Sequence, residues 1–221
     1  MKPFETLDTF VTPTGQRLTL HHRDGDYYID LDGHELMTTR AHDSESALGT
    51  LACERLRGVR RPRVLIGGLG LGFTLKASLD ALPEDAEVVQ SEVFEVVAGW
   101  HRRHLGALAV PLDDPRVRVR IGDVFELVRR HEGPRWDAIL LDTDNGPDAL
   151  CIADNASLYD EAGIELMRAA LQPGGTLAVW SAHPDAAFVR RLRRAGFHVR
   201  QHTVRGHRRK GPRHTIVLAE T

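Results

Sequence analysis

Residues 63–72 read Arg-Val-Leu-Ile-Gly-Gly-Leu-Gly-Leu-Gly, an apolar run that passes straight into a glycine cluster, with helical spacing from Phe73 onward. Strand, tight turn and helix in that order constrain the fold more than any other segment. Glycine serves where the backbone must turn sharply and approach a ligand, and the helix behind it offers unpaired N–H groups and a positive dipole end. The turn therefore suggests a nucleoside-type ligand held at Gly67, Gly68, Gly70 and Gly72, although such turns also arise for packing alone.

The same alternation continues downstream. Strands are expected near Arg63–Gly67, Glu87–Glu92, Val117–Ile121, Ala138–Asp142, Thr176–Ser181, Phe197–Val204 and His214–Ala219. Helices are expected over Phe73–Leu82, Val93–Leu105, Phe125–His131, Leu158–Leu171 and Pro184–Ala195. Such an order gives an α/β fold with a mostly parallel sheet covered on both faces. No helix separates the last two strands, so they should pair as an antiparallel hairpin at the sheet edge, joined by a basic loop, Arg205–Arg213. Upstream, Leu18–His22 and Tyr27–Leu31 are divided by Asp24-Gly25 and Asp32-Gly33, strong turn signals that predict a small antiparallel meander. From Asp43 helical spacing sets in, with Ala47, Leu48, Leu51, Ala52 and Leu56 on one stripe and Gly58 as a stop. The expected division is a β meander over 1–42 and a ligand-binding catalytic domain over 43–221.

Composition narrows the classes. With 221 residues, 42% hydrophobic and 27% charged, the chain excludes disordered, collagen-like and disulfide-dense proteins. Its longest apolar runs, Val64–Gly72 and Ala138–Leu141, fall far short of the roughly 20 residues that cross a bilayer, and no apolar signal core follows Met1, so a cytoplasmic protein without membrane contact is expected. Twenty-nine basic against 31 acidic side chains leave a net charge of −2, which argues against nucleic acid as a partner of the whole surface. Cys53 and Cys151 lack metal-type spacing and read as buried thiols. His101 and His104 read as a surface pair on a helix, and no metal site is expected.

Four acidic residues fall where chemistry is expected. Glu92 stands 20 residues beyond Gly72 at the end of the second sheet strand, where a carboxylate can accept both hydroxyl hydrogens of a ribose. Asp123, in Ile121-Gly122-Asp123-Val124, lies over the same carboxyl edge and can meet an adenine amine or cap the following helix. The fourth strand ends in Leu141-Asp142-Thr143-Asp144-Asn145-Gly146-Pro147, which puts two carboxylates on one loop at the edge where open α/β sheets bind ligands.

The order of Gly67–Gly72, Ser91-Glu92, Gly122-Asp123, Trp136–Asp142, Asp144 with Gly146-Pro147, Leu158-Tyr159 and Leu171–Gly175 resembles the polyamine aminopropyltransferases, the spermidine and spermine synthases, over most of the chain. The resemblance implies a Rossmann-like class I methyltransferase fold, a mostly parallel seven-stranded sheet with an antiparallel last strand. It implies S-adenosylmethionine or its decarboxylated form as co-substrate, a small-molecule amine as acceptor, no metal, and a homodimer. Glu92 would then bind the ribose and Gly122, Asp123 and Val124 the adenine. Asp142 and Asp144 would hold and deprotonate the amine beside Tyr159, and Glu35 would stand near the nucleoside where relatives carry glutamine.

Two departures matter. Gly70 replaces an acidic residue that faces the donor's amino end, and Arg40–Ser46 replaces a Tyr-His-Glu that grips the polyamine. The expected reaction is transfer of an aminopropyl (alkyl) group to a small amine other than putrescine, with Arg40 near the mouth drawing an acceptor that also bears an anionic group. S-adenosylmethionine-dependent methyl transfer, favoured by Gly70, and a non-catalytic adenosyl-ligand-binding module are the alternatives.

Overall fold

In a computed structural model that describes residues 3–130, 133–143, 156–207 and 210–221, Asp24-Gly25 and Asp32-Gly33 both take left-handed backbone, with φ of 53° and 90° and of 50° and 81°. Two-residue hairpin turns demand that geometry. The turns join β2 (Arg17–Arg23), β3 (Asp26–Leu31) and β4 (His34–Thr38), and β1 (Glu5–Val11) completes an antiparallel sheet in the order β1-β2-β3-β4. Pairing slips between β3 and β4: Ile29 faces Met37 while Asp30 faces Glu35. Leu36 is thus an extra residue, and a bulge of this kind moves the side chains beyond it to the opposite face.

Helix α1 (Asp43–Cys53) and a 3₁₀ turn at Glu54–Leu56 lead into the main sheet. Its strands are β5 (Arg63–Gly67), β6 (Glu87–Glu92), β7 (Val117–Ile121), β8 (Trp136–Leu141), β9 (Leu171–Ser181), β10 (His198–His207) and β11 (Lys210–Glu220), ordered β10-β11-β9-β8-β5-β6-β7. Only β11 runs antiparallel to its neighbours. The central strands are apolar on both faces because both are covered. Val64, Ile66 and Leu140 join one core layer with α1, α2 (Phe73–Ala81) and α3 (Glu95–Arg103). Leu65, Ile139 and Leu141 join the other, with α4 (Val124–Arg129), α5 (Ala156–Tyr159), α6 (Glu161–Ala170) and α7 (Ala186–Arg194).

Three boundaries differ from expectation. The helix expected over Leu158–Leu171 breaks at Asp160, whose carboxylate accepts the Gly163 N–H at 2.7 Å and caps α6; a good N-cap starts a new helix instead of continuing the old one. Strand β9 begins at Leu171, not Thr176, because Trp136 pairs with Leu171 and Ala138 with Thr176, leaving Gln172–Gly175 as a bulge. The segment Arg205–Arg213 is mostly not a loop: pairing continues through Arg205 with Arg213 to His207 with Lys210.

Cys53 is buried, and burial pushes its thiol up to about 12 against a smaller opposing effect of Ser78. Cys151 lies outside the described residues. Among the described residues, no helix is long and apolar enough to cross a membrane.

Candidate functional site

The carboxyl ends of β5, β6, β7, β8 and β9 open on one cavity of about 280 Å³, roofed by the N-terminal sheet through Leu18, Ile29, Leu31, Leu36 and Met37. The roof is pinned over α3. Asp8 accepts the Trp100 indole N–H at 2.9 Å and pairs with Arg103, and the Phe10 and Phe94 rings meet at 5.8 Å. Sheet order then sets the layout: β5, β6 and β7 carry one half of the cavity, β8, β9 and α1 the other.

The glycine turn divides its labour. Gly68 and Gly70 line the cavity with φ of 88° and 47°, and a Cβ would stand 2.1 Å from the Asp142 carbonyl oxygen at the first and 2.5 Å from Met37 Sδ at the second. At Gly67 and Gly72 packing excludes a side chain, since a Cβ would stand 2.9 Å from Val124 at the first and 2.6 Å from Val110 at the second. The Leu71 N–H points to Met37 Sδ at 3.1 Å. The space facing Gly70 is therefore taken by a thioether.

Glu92 is buried at the end of β6. Its Oε2 accepts the Leu69 N–H at 3.0 Å and Oε1 the Phe94 N–H at 2.9 Å, so the carboxylate ties the glycine turn to the start of α3 while still lining the cavity. Asp123 lines it too and also caps α4, accepting the Phe125 N–H at 2.8 Å. Both sequence readings of Asp123 are therefore compatible, since one carboxylate has lone pairs for each. Gly122 and Val124 complete this half.

In the other half, Asp142 Oδ2 accepts the Thr74 hydroxyl at 2.5 Å, and Thr74 lies in the first turn of α2. Glu45 of α1 is buried, lines the cavity and takes the Ser44 hydroxyl at 2.5 Å. Burial holds the Glu45 carboxyl above its ordinary range, and Asp43 adds to the rise. Thr143 lines the cavity and meets the Tyr159 hydroxyl at 3.0 Å, which leaves Tyr159 itself buried behind Thr143. Asp144 lies outside the described residues. Among the described residues, no three His, Cys, Asp or Glu side chains gather as a metal site requires.

Three expectations need correction. Glu35 is exposed and does not line the cavity, because the Leu36 bulge puts it on the Asp30 face, opposite Ile29 and Met37. Arg40 is exposed, pairs with Asp26 at 3.7 Å and does not line the cavity. His101 is no surface residue. It is buried, and its Nε2–H donates to the Gly70 carbonyl at 2.8 Å from beneath the turn.

Burial holds the His101 imidazole below its ordinary value of 6.5. Above that pH both folded and unfolded chains are neutral; as pH falls through it the unfolded chain takes the proton first, so stability drops. We expect melting temperature to fall between pH 7 and 5.5 and His101→Gln, which keeps a donor to Gly70, to lessen that fall. His214, also pushed down by burial, will keep the dependence from vanishing. An identical pH dependence in the variant would refute the assignment.

A glycine turn beside a buried acid, at the carboxyl edge of a parallel sheet, is the arrangement in which Rossmann-like folds bind nucleotide ligands. The sequence profile of the S-adenosyl-L-methionine-dependent methyltransferases matches residues 87–215, more than half of the chain, and the chain belongs to that family. It is 31% identical over 115 residues to putrescine N-methyltransferase 2 of Nicotiana attenuata (52% of this chain, 29% of that protein), and 30% identical over 115 residues to spermine synthase of Arabidopsis thaliana (52% and 30%). Spermidine synthase of Dictyostelium discoideum is 33% identical over 113 residues (51% and 37%). The matched stretch thus spans about a third of these relatives or less. The spermidine synthase of Thermotoga maritima shares the fold, with a TM-score of 0.76 at 20% identity over 97% of this chain and 72% of that one.

Proposed function

We propose that the chain transfers an alkyl group from an S-adenosyl sulfonium donor to a small amine, the aminopropyl group of decarboxylated S-adenosylmethionine ahead of methyl. The observation that carries this reading is the division of one cavity between a turn-and-acid half, Gly68, Gly70, Glu92 and Asp123, and a carboxylate half, Asp142 and Glu45. The first suits adenosine and the second a cation. A buried acid such as Glu45 favours an amine over an anionic acceptor.

The sulfonium carbon is already activated, so the residues need only align the amine with it and take its proton. The amine nitrogen forms the new bond to carbon while the carbon–sulfur bond breaks and the thioether leaves with both electrons. The proton lost by nitrogen goes to a carboxylate: the Thr74 hydrogen bond that orients Asp142 supports that residue, and Asp144 is the other candidate.

Methyl transfer has one observation in its favour: Gly70 and Met37 present no acid to repel the carboxylate of intact S-adenosylmethionine. Mass spectrometry of the product separates the two by the group gained. Calorimetry against S-adenosylmethionine, its decarboxylated form and methylthioadenosine tests the donor site first, and failure to bind any of the three would remove the proposal. Glu92→Ala should weaken binding about fivefold to 150-fold, roughly 1 to 3 kcal/mol for a lost charge-assisted hydrogen bond. It should also lower the melting temperature, because the Leu69 and Phe94 N–H groups lose their acceptor.

A further inference from the structure

We infer that the outer edge of the main sheet, formed by α7 and the β10–β11 hairpin, is a second binding surface, shaped for the phosphate backbone of a nucleic acid. Between Asp185 and Glu220 the sequence carries ten arginines and lysines and no acid, which leaves −12 on the rest of the chain. The net charge of −2 is a cancellation between two parts.

Several of these arginines are spent within the fold: Arg191 pairs with Asp185, Arg194 with Glu161 and Arg200 with Glu220. Arg190, Arg193, Arg205 and Arg213 have no acid at ion-pair distance among the described residues. Arg205 and Arg213 stand directly opposite each other in the hairpin, so their side chains leave the same face, an arrangement of like charges that destabilises a sheet unless an anion lies between them. Strand alternation puts both on the face of Val199, which packs with Phe188 and Leu192 of α7. Arg190 and Arg193 lie exposed on α7 itself, so all four belong to one side of the sheet.

Extent and chemistry select the partner. Strand β10 has ten residues, about 30 Å at roughly 3.3 Å each, close to one turn of a duplex at about 34 Å. A single small anion would occupy only one end of such a band. Guanidinium forks match phosphate oxygens, and none of the exposed large hydrophobic residues falls in this segment, whereas a membrane-seated face presents apolar groups to insert. Strand β10 is the outermost of its sheet, so among the described strands nothing covers it.

Fluorescence anisotropy of the full chain with labelled duplex RNA and duplex DNA of random sequence tests this, the two arms telling which polymer is preferred. We expect binding at low salt whose affinity falls with salt at a slope of about −3 to −4, from about −0.9 for each phosphate neutralised. Replacing the four arginines with glutamate (R190E/R193E/R205E/R213E) should abolish binding, and replacing them with lysine should preserve it and so separate lost charge from lost fold. Thermal stabilisation by methylthioadenosine should be equal in all three proteins. Equal duplex binding by the glutamate variant, no binding by the parent at low salt, tighter binding to phosphatidylserine vesicles than to duplex, or salt-sensitive self-association in place of duplex binding would each overturn the assignment.

Discussion

Gly68→Ala should lower stability by about 3 to 5 kcal/mol and remove donor binding together with it. The residue has φ of 88°, and an added Cβ would lie 2.1 Å from the backbone oxygen of Asp142 and 2.9 Å from its carbonyl carbon. Left-handed backbone in a non-glycine residue costs about 1 to 3 kcal/mol, and overpacking typically adds about 1 to 3 kcal/mol more. The neighbour is backbone at the end of a central strand, where Asp142 N–H donates to the Gly67 carbonyl at 2.9 Å, so it cannot swing aside as a side chain would. Relief requires the glycine turn and the Asp142 strand end to separate, which opens both halves of the cavity at once. Gly58→Ala is the control: it has no left-handed φ and nothing within 4 Å of its added Cβ, so its melting temperature should stay at or slightly above that of the parent. If Gly68→Ala unfolds at the parent temperature and binds the donor normally, the contact between turn and strand end is not what the geometry indicates.

The same contact explains how much could be read from sequence. The runs Arg63–Gly67 and Trp136–Leu141 are apolar throughout because both faces are buried, and the acids at strand ends fall on one edge because parallel strands all point that way. Glu92 and Asp123 were legible for that reason. Positions that depend on a slip in pairing were not. A strict two-residue period puts Glu35 on the same face as Met37, but Leu36 bulges and separates them, and no residue type in the stretch announces a bulge. His101 was hidden differently: its spacing from His104 suggests an exposed pair, while its burial depends on α3 lying beneath Gly70, a contact between segments far apart in sequence. Arg40 sits in a stretch that does carry a cavity residue, Glu45, but the arginine precedes the helix and turns to Asp26. The basic hairpin looked like a solvated loop because a run of arginines resembles a turn in composition, although its alternation also suits a ribbon.

Asp142→Asn should leave the fold and donor affinity intact and cut kcat by about a hundredfold to ten-thousandfold, the contribution of a positioned proton acceptor. The substitution keeps an oxygen that can accept the Thr74 hydroxyl, now at 2.5 Å, so the side chain should hold its place. What it loses is the negative charge that steadies an ammonium group and the capacity to take its proton. Thr74→Val removes the hydroxyl that orients the carboxylate and also lies 3.1 Å from the Glu45 carbonyl; at about 0.5 to 1.5 kcal/mol for one hydrogen bond its effect on kcat should stay near tenfold or below. The two readouts together discriminate a proton acceptor from a structural acid. Loss of donor binding in Asp142→Asn would make the residue part of the turn's support, and a kcat within tenfold of the parent would pass the proton to another group, with Asp144 and Glu45 the carboxylates to test next. Glu45, held above its ordinary range by burial, would then make the rate rise with pH through that raised range, because only its ionised form can accept a proton.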